Sequence, residues 1–442
     1  MTLRGADSKK LPDTHRGVAP LSLAFTVWGL GAALYCIGFF HRVAPAVITR
    51  ELATEFDLSA VALGNLSAFY FYSYVAMQIP TGILADRFGP RRILTLGALV
   101  AAAGALLFAT ASSLPLVALG RLLIGGAVGV AFVAMLKLST HWFHPARFAT
   151  VAGLALGIGL LGAVSAGAPL RWLVDAWGWR NVMLAGAIAT AALAVAIWLV
   201  VRDEPNRYGY AGYLPRADRG APAHSMLGGL ARVLRERNVW LILLVNGGVT
   251  GPVLTFAGLW GVPFLTTHYG VSTAAAAGFC SLLLLAWGVG GPLLGALSDR
   301  WQRRRSLFIG GTAVATLAWG VIFLVPGLSL PLLAALLTLA GAAAGVIMIG
   351  YAYAKESAPA ALAGTTGGVT NMGNMVGGMV MQPAVGWVLD RTWTGTLADG
   401  APVYAFSAYR AGFALMLAWL AVAVVLAALT RETHCRPAGR AA

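Results

Sequence analysis

Twelve apolar runs of about twenty residues or more, separated by short polar breaks, constrain this chain more than any other feature of its 442 residues. Each run is long enough to cross roughly 30 Å of hydrocarbon as a helix. The runs fall near 21–47, 59–84, 92–112, 115–139, 148–174, 181–201, 238–266, 273–297, 306–326, 329–354, 363–389 and 407–430. With 59% of residues hydrophobic, 11% charged and a mean hydropathy of +0.77, this much apolar surface cannot be hidden inside a water-soluble core. Lipid is therefore the solvent. A membrane β-barrel would show shorter segments alternating apolar and polar residues. The pattern here is unbroken apolar runs, so the expected fold is an all-α membrane protein.

A net charge of +15 raises the question of nucleic acid, and the placement of the charge answers it. If the N-terminus is cytoplasmic, about 24 of the 31 Lys and Arg lie in or beside cytoplasmic segments, with Arg42, Arg50, Arg121, Arg171, Arg180, Arg391 and Arg410 elsewhere. Basic residues crowd the cytoplasmic side of inner-membrane proteins, so the expected partner is the bilayer and not nucleic acid. Both termini are expected in the cytoplasm. The first twenty residues lack the apolar core of a secretory signal. Cys36, Cys280 and Cys435 are far apart and read as free thiols.

The longest break divides the runs six and six. The expected organisation is a tail at 1–20, a six-helix bundle at 21–201, a cytoplasmic linker at 202–237, a second bundle at 238–430 and a tail at 431–442. An internal repeat supports the division. Gly82-Ile-Leu-Ala-Asp86-Arg87-Phe-Gly89-Pro-Arg91-Arg92 returns 213 residues later as Gly295-Ala-Leu-Ser-Asp299-Arg300-Trp-Gln-Arg303-Arg304-Arg305. Pro169-Leu-Arg-Trp-Leu-Val-Asp175 is echoed by Pro383-Ala-Val-Gly-Trp-Val-Leu-Asp390, with the aspartates 215 apart. Two echoes at nearly one offset mark a duplicated transporter.

The segment Gly82 to Arg92 resembles the signature loop of the major facilitator superfamily, and the likeness extends to Gly120-Arg121 and to Trp177-Gly178-Trp179-Arg180. The second copy departs from the pattern at Gln302, where the first has Gly89. The resemblance implies two pseudo-symmetric six-helix bundles and a carrier working by alternating access. It also implies a conformational latch at Gly82, Asp86, Arg87, Gly89, Arg91 and Arg92, with Asp299 and Arg300 in the second copy, in which Asp86 holds the two halves in the outward-facing state.

Charged side chains at a helix centre cost roughly 2.5–3.5 kcal/mol on insertion scales, so those retained usually face a cavity. Arg42 and Arg121 lie well inside runs 1 and 4, while Asp86 and Asp299 read as loop residues and Asp175 and Asp390 as helix ends. A cavity with guanidinium and no carboxylate selects an anionic or zwitterionic solute, because the planar fork suits carboxylate. Arg42 is the first candidate for substrate binding, with Tyr35 on its face. The position of Arg42 also resembles that of a substrate-binding Arg in organophosphate and carboxylate carriers of the superfamily. Tyr70, Tyr74 and Gln78 share a polar face of run 2 with Ser67, and Asn246, Asn371 and Asn374 mark runs 7 and 11; a cavity wall and interhelical hydrogen bonding both explain them. Arg121 resembles a buried Arg associated with proton coupling in exporters, and a structural donor role stands beside that. His41 could carry a co-transported proton. Lys137, near the end of run 4, reads as snorkelling to the headgroups. His141 and His144 lack a third ligand, and neither a metal nor any other cofactor is expected.

The run Phe40-His-Arg42-Val-Ala-Pro45, with Tyr70 to Gln78, resembles a proteobacterial subgroup of amino-acid and nutrient uptake carriers similar to lysosomal dipeptide carriers. The expected function is transport of an amino acid, small peptide or organic anion across the inner membrane, with proton coupling left open. Drug or siderophore export is the alternative within carriers. A membrane-embedded enzyme would need a catalytic constellation such as HExxH or a nucleophile elbow, and no such motif is in the sequence.

Overall fold

The computed structural model describes residues 17–144, 147–213, 226–359, 362–398 and 401–436. Twelve spans run through it. Span 1 is Leu21–Val47, span 2 Ala60–Phe88, span 3 Pro90–Thr110 and span 4 Leu114–Trp142. Span 5 joins Phe148–Ser165 to Ala168–Trp177, and span 6 is Trp179–Val200. Span 7 comprises Arg237–Thr255, a π-turn at Phe256–Trp260 and Gly261–Tyr269, and span 8 is Thr273–Trp301. Span 9 is Arg305–Leu324, span 10 joins Leu330–Ala344 to Ile347–Glu356, span 11 is Ala363–Arg391 and span 12 Phe406–Ala428. Nine are long and apolar enough to cross a membrane on composition alone, and span 5 does so as a pair bent by 41°. Pro169, in the first turn of the second piece, explains the bend. Spans 2 and 11 are the two that fall short. Both are 29 residues long and lie against each other, so their polar residues meet protein and not lipid.

Local chemistry sets the helix ends, and the repeat is visible there too. Ser59 caps span 2 by accepting from the Ala62 amide, and Ser272 caps span 8 by accepting from the Ala275 amide. Gly89, at φ 79°, turns the chain from span 2 into span 3, and a side chain there would strike the Asp203 carboxylate. Gln302 ends span 8 with a positive φ as well, but at φ 52° and ψ 36° where Gly89 has φ 79° and ψ 157°, and span 9 begins only at Arg305, so the second loop takes a different path from the first. The signature segment is more helical than expected. Asp86 and Asp299 stand in the last turns of spans 2 and 8, not in loops, because the helices run on to Phe88 and Trp301.

In each bundle an acid just after the sixth helix caps the third. Asp203 accepts from the Arg91 amide at 2.7 Å, and Glu432 accepts from the amides of Arg304 and Arg305, each at 2.9 Å. Burial opposes the charge on Glu432, but the amides of Arg304, His434, Arg305 and Thr433 outweigh it and hold the carboxyl below its ordinary value near 4.5. A lowered value stabilises the fold above pH 4.5 and loses that contribution as pH falls through it. Glu432→Gln is therefore expected to lower Tm by on the order of 2–4 °C at neutral pH. In thermal melts over a pH series the difference should close below about pH 4.5.

The bundles meet along two antiparallel seams, span 2 with span 11 and span 5 with span 8. At the face remote from the linker the seams are tight: Gly64 abuts the backbone of Gln382 and Pro383, Gly386 abuts Ala60, and Gly167 abuts Ser281. Contact persists to mid-depth through Phe71 against Gly378 and Leu160 against Gly288. Continuing the same registers toward the linker face would oppose Gly82 to Gly368 and Gly153 to Gly295. At all four, a side-chain carbon would meet nothing within 4 Å. The two bundles are thus closed at the far face and separated at the linker face.

Candidate functional site

Arg42 sits where the closed part of the seams ends. Its side chain is 3% exposed, and its guanidinium carbon lies 4.2 Å from the Phe39 ring centroid, 5.4 Å from Tyr74 and 5.8 Å from Tyr70. Tyr35 joins the group electrostatically, and the Tyr70 hydroxyl is within hydrogen-bonding reach. Four residues earlier in the chain, the Gly38 carbonyl accepts from Tyr70 at 2.9 Å, which fixes span 2 against span 1. The Arg42 Nε is buried without a hydrogen-bond partner, and among the described residues no carboxylate pairs with this side chain. Ring faces stabilise a cation by about 0.5–2 kcal/mol, far short of the several kcal/mol needed to desolvate one. A buried guanidinium held by aromatic rings and a neutral tyrosine hydroxyl is therefore left short of an anion.

The space beside Arg42 is small. A void of about 10 Å³, lined by Phe39, Leu160 and Ala163 of one bundle and Leu254, Gly258 and Trp287 of the other, has room for about one water. A larger occupant must part the aromatic side chains or the bundles.

A polar chain starts one helical turn along span 2 and crosses to the second bundle. Gln78 Oε1 accepts from Asn371 at 2.7 Å, Tyr351 donates to Asn371 Oδ1 at 2.6 Å, and Asn374 donates to the Tyr351 hydroxyl at 2.7 Å. Gln78, Asn371 and Asn374 were legible as a polar set. Tyr351 was not, because a tyrosine in the apolar span 10, which also carries Tyr353, shows its partners only when span 11 is laid beside it.

The remaining candidates lie elsewhere. Asn246 is fully buried with its amide pressed on Gly350 of span 10, and it lines neither the Arg42 group nor the polar chain. Arg121 is 2% exposed and donates to the carbonyls of His41 at 2.6 Å and Ser67 at 3.1 Å, tying span 4 to spans 1 and 2. His41 is buried beside it, one position away from Arg42 and packed on Phe40. Lys137 does not reach out to the headgroups. Its Nζ donates to the Ala85 carbonyl at 2.8 Å, at the end of span 2, where the freed helix carbonyls attract a cation. Among the signature residues, Arg91 donates to the Trp198 carbonyl, Arg87 and Arg92 are exposed, and the side chain of Asp86 lies outside the described set. Asp299 is 68% exposed and pairs with Arg304 at 2.6 Å within its own bundle, and Arg300 is exposed. No cluster of metal-ligating residues occurs among those described.

Sequence comparison agrees with the architecture. The chain is 27% identical over 393 residues to the probable sulfoacetate transporter SauU of Cupriavidus necator, covering 83% of this chain and 87% of that one. It is 21% identical over 380 residues to the probable galactarate/D-glucarate transporter GarP of Escherichia coli, covering 80% and 85%. Among solved structures, a bacterial homolog of the human lysosomal transporter Spinster, in an inward-facing and unoccupied conformation, superposes with a TM-score of 0.72 at 19% identity over 93% of this chain and 98% of that one. The sequence profile of the Major Facilitator Superfamily matches residues 28–382, and with twelve spans in two related bundles the chain belongs to that family of multi-pass membrane transporters.

Proposed function

We propose that this protein is a secondary carrier of a small organic anion in the cell inner membrane, with the linker face and both termini cytoplasmic, and that Arg42 binds the substrate carboxylate. The observation that carries the reading is a buried guanidinium with an unpartnered Nε and, among the described residues, no carboxylate paired with it. The transported molecule brings the missing charge. Relatives named for sulfoacetate and for galactarate or glucarate support an organic anion over an amino acid or dipeptide. The chain Gln78–Asn371–Tyr351–Asn374 suits the hydroxyls of such a molecule, because each member both donates and accepts. Tyr35, Tyr70 and Tyr74 form the wall around the carboxylate, and Asn246 supports span 10 from behind.

In this reading the conformation is inward-facing. The residues Gly82 to Arg92, with Asp299 and Arg300, form a cytoplasmic latch that engages when the linker face closes, and Lys137 steadies the end of span 2 for it. Arg121 is a structural brace. The candidate carrier of a co-transported proton is His41, buried and adjacent to Arg42 in the chain.

Ligand binding to the folded state raises its apparent stability. Purified protein should be melted with tartrate, glucarate, sulfoacetate, free amino acids and dipeptides, and uptake of each hit measured in proteoliposomes. Stabilisation by at least one dicarboxylate or sulfonate is expected, and a panel in which only cationic or neutral compounds stabilise would overturn the reading.

A further inference from the structure

We infer that Asp390 is the bolt that holds the far face shut, and that Asp175, its counterpart in the repeat, is the matching bolt left undone in this conformation. Asp390 ends span 11 in the second bundle. Its two carboxylate oxygens accept from the amides of Ala60 at 2.7 Å and Val61 at 2.8 Å, the first residues of span 2 in the other bundle. These amides have no partner within their own helix, and the N-terminus of a 29-residue helix carries positive partial charge, so a carboxylate satisfies both needs at once. Tyr404 adds a longer contact to the same carboxylate at 3.4 Å.

The repeat says where the second contact belongs. Asp175 ends span 5 as Asp390 ends span 11, and Ser272 caps span 8 as Ser59 caps span 2. Asp175 should therefore cap span 8. It does not: its side chain is 59% exposed and held by Arg171, which also takes Glu51 at 2.6 Å. Asp175 and the start of span 8 at Ser272, Thr273 and Ala274 line one cavity of about 610 Å³ between the bundles at the far face. Both seams are packed at the far face, but only the span 2–span 11 seam has its terminal carboxylate engaged; beyond Gly167 and Ser281 the end of the other seam is left unbolted. A bond that joins the bundles only when this face is closed stabilises that state alone, and transport must break it in every cycle.

The test reads exposure and needs no substrate, so it fails independently of the proposed function. A cysteine is placed at Val43, buried beside Arg42, with Cys36, Cys280 and Cys435 replaced by serine, and reaction with a membrane-impermeant maleimide is timed in right-side-out and inverted vesicles. Asp390→Ala is expected to raise the labelling rate from the far face five-fold or more and to lower it from the linker face. Ala60→Pro, which removes one donor at a helix position that accepts proline, should do the same in a chain that keeps the carboxylate. Asp175→Ala should stay within two-fold of the parent. Unchanged labelling in Asp390→Ala, an equal rise in Asp175→Ala, or faster labelling from both faces, which marks a loosened protein, would each overturn the assignment.

Discussion

Arg42→Ala is expected to abolish transport while leaving the empty protein as stable as the parent or more so. Removing one partner of a buried ion pair costs about 3–5 kcal/mol, so substrate affinity should fall roughly a hundredfold or more. The stability half of the prediction follows from the unpartnered Nε and the absent carboxylate: without substrate, the side chain is a desolvated cation on aromatic rings, and its loss removes a cost. Arg42→Lys keeps the charge but not the fork, and is expected to lose about tenfold. Arg121→Ala gives the contrast, because that guanidinium ties two backbone carbonyls and its removal should lower Tm. Thermal melts with and without substrate, beside uptake measurements, separate the cases. An Arg42→Ala protein that transports at the parent rate would remove the anion site from the proposal.

Gly64→Val is expected to be severely damaging although it lies outside that site. A side-chain carbon at Gly64 falls 2.6 Å from the Gln382 carbonyl oxygen and 2.7 Å from Pro383 Cα, and backbone atoms cannot swing aside. Span 2 must leave span 11, which opens the far face. Transport should drop at least tenfold, with a large rise in far-face labelling. Gly82→Val lies on the same helix and meets nothing within 4 Å here, so it should leave this conformation intact and instead obstruct closure of the linker face. Opposite shifts in labelling by the two variants are the expected result. Parallel shifts would mean that the seam does not pivot.

Arg42 and the spans could be read from the sequence because both are local statements: run length decides a span, and a charge inside a run stands out whatever its neighbours. The same rule gave Arg121 and Lys137 as candidates without saying what they touch, and both donate to backbone carbonyls, which leave no mark on a sequence. Tyr351 and the abutting glycines were invisible or ambiguous for a related reason, since their meaning depends on which helix lies opposite. Asp390 was visible as one half of a repeat. That its carboxylate crosses to the other bundle follows only from the folded chain. The polar faces of spans 2 and 11 were legible as faces, and the seam explains why they tolerate so many polar groups.

The π-turn in span 7 has a mechanical consequence. One turn of five residues, Phe256–Trp260, shifts the phase of the helix above it by about one residue, or 100°. Below it Thr250 addresses span 11, and as its last residue Trp260 donates to the Gln382 carbonyl of the same neighbour. The wide turn also brings Gly258 beside the Arg42 group, leaving one loosely wound ring of backbone next to the charge that defines the site. A helix wound loosely at one level can flex there and stay rigid on either side, so span 7 is built to hinge at the depth where the cargo sits.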